Sequence, residues 1–182
     1  MYPQYILSKA AELNNDNETI ETKFYPLYNK ILYYWFPPTE GYSICPQWSI
    51  PNSEKFKDFS VDFVIEHHHH PFLLVEIQPP SDFKLDSGRT AAIFQVIRRL
   101  DEIGPTNRHA DRLYAISAIG KMWRACYALK ESGGEGAQPV NGVAEENTLK
   151  SADPACWNVD ITSDESWVAL TSIVETIKGY VS

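Results

Sequence analysis

Residues 61–80 read VDFVIEHHHHPFLLVEIQPP. Two apolar runs flank four histidines, and alternation along a strand places Glu76 and Gln78 on one face while Leu73, Val75 and Ile77 take the other. A connection of four or five residues has hairpin length, so the stretch reads as an antiparallel pair. With a five-residue loop Asp62 falls directly opposite Glu76, and opposed residues share a face. One residue fewer sends Asp62 to the other side of the sheet. Two adjacent carboxylates repel each other and need a cation or a shared proton. A hard divalent ion, held by one or two carboxylates and able to activate water, would supply the first. The four histidines do not converge on one point in an extended chain, which makes residues 67–70 a solvated tip.

Outward from the hairpin, GYSICPQWSIP supplies a third strand near residues 42–50. Before it, Ile20, Phe24, Leu27 and Ile31 recur at helical spacing, predicting a helix from a cap near Asn17 to about Trp35, with Pro26 marking a kink or a late start. After the hairpin, PPSDFKLDSG delivers Asp86 or Ser87 as the cap of a second helix, TAAIFQVIRRLDEI, stopped by Gly104 and Pro105. RLYAISAIG and KMWRACYAL are two more strands around a Gly-Lys turn. The last helix follows a Thr162/Glu165 capping box and carries Trp167, Leu170, Val174, Ile177 and Val181 on one face. Residues 131–155, rich in Gly, Ala, Glu and Asn, read as a mobile loop.

The length of 182 residues suits one domain spanning 1–182, and 43% apolar residues with ten tyrosines and five tryptophans exclude a disordered chain. No apolar stretch is long enough for a membrane span, and the N-terminus lacks the pattern of a signal peptide, so the expectation is an intracellular protein, cytoplasmic or nuclear. Cys45, Cys126 and Cys156 have neither the number nor the spacing of a disulfide framework or zinc knuckle. A net charge of −8 excludes coating nucleic acid by charge alone. The distribution qualifies this: residues 84–130 hold nine Lys/Arg against four Asp/Glu, so only the middle third could face a polyanion.

The order helix, three-strand meander, helix, two strands, helix, with Val61-Asp62 followed on the next strand by Glu76-Ile77-Gln78, resembles the PD-(D/E)XK nuclease superfamily. The likeness in element order covers roughly residues 17–125. The segments FYPLYNKIL, LLVEIQPP and LYAISAIGKMWRACY are also similar to fungal proteins of that superfamily. The resemblance implies an α/β (α+β) fold with a restriction-endonuclease-like core. It further implies Mg²⁺ or Mn²⁺ held by Asp62, Glu76 and the backbone carbonyl of Ile77, and hydrolysis of phosphodiester bonds in DNA or RNA. Gln78 stands where the family usually has lysine, and a neutral amide can position a water but brings no full charge. Glu21, about 100° from Ile20 on a helix, is a further acid, with Glu18 lying nearer solvent. Gln95 matches a glutamine that some relatives use, and Arg98, Arg99 and Lys84 are candidate phosphate contacts. Two other readings stay open: an inactive domain of the same fold that binds a protein partner, and a different enzyme on that scaffold.

Overall fold

The computed structural model describes residues 1–13, 18–49, 61–104, 111–129, 137–140 and 152–181. Four helices, α1 (Gln4–Ala11), α2 (Tyr25–Trp35), α3 (Asp86–Ile103) and α4 (Asp164–Val181), pack on one mixed sheet. Its strands are β1 (Tyr42–Trp48), β2 (Val61–His67), β3 (His70–Gln78), β4 (Arg112–Ile119), β5 (Met122–Leu129) and the short β6 (Gln138–Pro139) and β7 (Val159–Asp160). The order is β1-β2-β3-β4-β5-β6, with β7 also on β5, and every pair except β3/β4 is antiparallel. That one parallel pair is joined through α3, as a parallel connection requires.

Alternation along the strands divides the core. Phe63, Ile65, Leu73, Val75, Ile77, Tyr114 and Ile116 pack with α1, α2 and α4 on one face. Val64, Leu74, Leu113, Ala115 and Cys126 meet Val96, Leu100 and Ile103 of α3 on the other. The result is a sheet covered on both sides, with nearly unbroken burial along β3 and β4, the expected pattern for central strands. Cys45, Cys126 and Cys156 are free thiols. Among the described residues no helix is long and apolar enough to cross a membrane.

Several boundaries differ from the sequence expectation for identifiable reasons. The first predicted helix starts late: Glu21–Lys23 form a 3-10 turn and α2 begins at Tyr25, with Pro26 in the first turn, where its missing N–H costs nothing. Ile20 is accordingly exposed instead of heading the apolar stripe. The cap expected near Asn17 lies outside the described residues. A helix the sequence did not announce, α1, buries Ile6 and Ala10. Tyr2 just before it stacks edge-on to Trp167 at 4.9 Å, within a cluster that also holds Tyr34 and Trp35. Eight residues make a helix too short to stand alone, so this packing is what holds it. At α4 the cap is Ser163, whose Oγ accepts from the Ser166 N–H at 3.0 Å. Thr162 instead donates its N–H and hydroxyl to Asp160. Of the loop expected at 131–155, residues 131–136 and 141–151 lie outside the described residues.

The hairpin turn is the most consequential difference. It contains two residues, His68 and His69, with φ of 50° and 66°, instead of four or five. Such a turn gives the register His67↔His70 and Glu66↔Pro71, which would place Asp62 opposite Val75 and on the wrong face. A bulge follows: between Ile65 and Glu66 the pairing shifts by one residue, and the ladder continues as Ile65↔Leu73, Val64↔Leu74, Phe63↔Val75. One step further along this ladder brings Asp62 to Glu76.

Candidate functional site

Glu76 lies in the middle of the sheet on the α3 side and is 2% exposed. A carboxylate so placed needs partners for both oxygens, and α3 provides them from one face. Gln95 and Arg99, four residues apart, reach down together. Arg99 Nε donates to Glu76 Oε1 at 2.7 Å, and Gln95 Nε2 donates to Oε2 at 2.8 Å. The network extends at both ends. Gln78 Nε2 donates to Gln95 Oε1 at 2.7 Å, while Arg99 Nη1 reaches Glu102 at 3.2 Å and Arg98 Nε reaches the other oxygen of Glu102 at 2.9 Å. Gln78 therefore orients a glutamine.

Asp62 sits beside this network, half-buried. Its Oδ2 accepts the Ile77 N–H at 2.7 Å, and its Oδ1 accepts the Tyr25 hydroxyl. Tyr25, in the first turn of α2, also stands 3.4 Å from Oε1 of Glu21. Tyr25 thus joins the 3-10 turn to the end of the β2/β3 ladder. Glu21, Asp62 and Glu76 form a line of acids, and each holds its proton more tightly than usual. Burial is the first cause for all three. For Glu21 and Glu76 the charge of Asp62 comes next, and Arg99 and Gln95 oppose the rise at Glu76 without cancelling it. Glu76 is raised to about 7.

The remaining candidates are placed elsewhere. Arg98 is on the exposed side of α3, and Lys84 is exposed at the end of the 3-10 turn Pro80–Lys84. Glu18 pairs with Lys23 and caps the N–H groups of Thr19 and Ile20. Among the described residues, no group of three or more His, Cys, Asp or Glu is arranged to hold a metal ion. Each oxygen of Asp62 and Glu76 accepts one hydrogen bond from a protein donor, so a metal ion there would have to share these oxygens with those donors or displace them.

Sequence reading missed Tyr25, Glu102, Ser117 and Arg124. Tyr25 lies four residues after Glu21, and Glu102 lies three and four after Arg99 and Arg98, spacings that signal contact on a helix. Ser117 and Arg124 have no such local signal. They are brought to Glu76 by pairing alone, Glu76↔Ser117 and Ser117↔Arg124, and extend a buried polar row across β3, β4 and β5. Arg124 lies over the Trp157 ring at 5.0 Å. The chain matches no protein-family model, no curated protein and no solved structure.

Proposed function

We propose that this chain is a PD-(D/E)XK-type domain, restriction-endonuclease-like in its core, that serves as a non-hydrolytic binding module and meets its partner through its outer surface. The observation that carries this reading is the closure of Glu76: both oxygens are engaged at 2.7 and 2.8 Å by Arg99 and Gln95, and the residue is 2% exposed. A carboxylate that prepares water for attack must be reached by that water, and at 2% exposure Glu76 is closed to it. Here the pair of acids ties β2 and β3 to α2 and α3. Gln78 supports the same view, since its Nε2 donates to Gln95 and it brings no charge of its own.

A second reading, a Mg²⁺- or Mn²⁺-dependent phosphodiesterase acting on nucleic acid, is favoured by the line Glu21, Asp62, Glu76. Burial holds the proton on all three, with the charge of Asp62 adding to it at Glu21 and Glu76, and a divalent cation would favour their ionised forms. It requires Arg99 to leave Glu76.

One experiment separates them. The purified chain is titrated with Mg²⁺ and Mn²⁺ in a calorimeter and incubated, with each metal, with single- and double-stranded DNA and with RNA. The binding-module reading expects no saturable heat and no cleavage. Cleavage that disappears in chelator and in Glu76→Ala would overturn it in favour of the second reading.

A further inference from the structure

On the sheet face opposite Glu76, α4 stands away from β4, β5 and β6 and leaves a cavity of about 350 Å³. This is within the size range of small-molecule sites. Its floor is a cross-strand pair, Tyr114 and Tyr127, with ring centroids 5.7 Å apart. The guanidinium of Arg112 stacks on Tyr127, its carbon 4.4 Å from the ring centroid. Tyr114 lies in hydrogen-bonding reach of the same guanidinium and holds its pKa above the ordinary value. Among the described residues Arg112 forms no ion pair with a carboxylate. Pro139, Val140 and Ile173 supply an apolar wall.

A guanidinium fixed by stacking keeps a fork of N–H groups for an oxyanion, and little conformational entropy remains to be lost on binding. One arginine balances one negative charge. The chain carries a net charge of −8, and Asp111 adjoins Arg112 in the chain, so a doubly charged phosphate is disfavoured here. We propose that this cavity binds a small monocarboxylate bearing a planar ring, the carboxylate on Arg112 and the ring against Pro139, Val140 and Ile173. The site is independent of the carboxylate network and of whether that network is catalytic.

The test uses the full chain and four probes, benzoate, indole-3-carboxylate, benzamide and phenyl phosphate, with binding followed by ligand-observed NMR and calorimetry. At least one of the two carboxylates should bind with a Kd below about 1 mM, with benzamide and phenyl phosphate at least about tenfold weaker. Arg112→Gln should weaken the carboxylate at least about tenfold, and Arg112→Lys by less. Thr176→Leu, on the rim at α4, should narrow the cavity and weaken binding. No binding of either carboxylate by the wild type would overturn the proposal, as would equal binding of benzamide, tighter binding of phenyl phosphate, or unchanged affinity in a folded Arg112→Gln variant. Should that variant fail to fold in a thermal melt, the benzamide comparison and Thr176→Leu decide, and a carboxylate affinity unchanged by Thr176→Leu overturns the proposal.

Discussion

Glu76 and Arg99 form an ion pair with side chains 2% and 13% exposed. Removing one partner of such a pair leaves a buried charge with no counter-ion, which costs far more than the pair's net contribution. Arg99→Ala should therefore destabilise the fold by about 3–5 kcal/mol at pH 8. The loss should be smaller at pH 5, where Glu76, raised to about 7, carries its proton and needs no cation. Urea unfolding at both pH values measures the difference; an equal loss at each would mean that Arg99 acts by packing. The wild type should show a related slope. A carboxyl whose folded pKa exceeds its unfolded one favours the fold below the unfolded value, and this contribution disappears as pH rises through the folded value. For Glu76 the window runs from about 4.5 to about 7, and Asp62 and Glu21 act in the same direction. Stability from this centre should fall between pH 5 and 8, by on the order of 3 kcal/mol for Glu76, and Glu76→Gln should flatten the slope.

At the scale of elements, the hairpin turn carries its own cost. His68 and His69 both occupy the left-handed region, where a two-residue turn favours Asn followed by Gly. The double substitution His68→Asn, His69→Gly should raise stability by about 1 kcal/mol, read as an upward shift of the melting temperature, with the fold unchanged. The same hairpin marks what could be read from sequence. Both strands were legible, because Phe63 to Ile65 and Phe72 to Val75 are apolar and bounded by polar residues or proline. Helix α3 was legible from Ala92, Ile93, Val96, Leu100 and Ile103, all of which are buried. The register was not, since a bulge is set by how β3 is held between β2 and β4, which no local spacing records. Helix α1 was hidden because only Ile6 and Ala10 of it are buried, in a core that also draws on the sheet and α4, and two positions make a weak stripe. At the site, the sequence placed Gln95 and Arg99 one turn apart on a helix, but their shared target depends on where α3 crosses the sheet.

Across the whole molecule, part of the basic middle third is turned inward. Arg89 is 8% exposed and donates to the carbonyls of Phe83 and Ala152, Arg99 is held on Glu76, and Arg124 is 2% exposed beneath Trp157. Three of the arginines that could have met phosphates instead fasten α3 and β5 to their surroundings. On heparin the chain should elute below about 0.1 M salt, where screening of exposed charges is still incomplete; retention well above that concentration would show a basic surface that these burials leave intact. The bulge between Ile65 and Glu66 also limits how this chain can vary in length. With Phe72 as the extra residue, the tip and the sheet are out of step by one position, and the lock at Asp62 and Glu76 depends on that offset. A single-residue deletion or insertion at the histidines would therefore have to be taken up by the turn or by the bulge, as the present offset is, or β2 and β3 would slip and part Asp62 from Glu76.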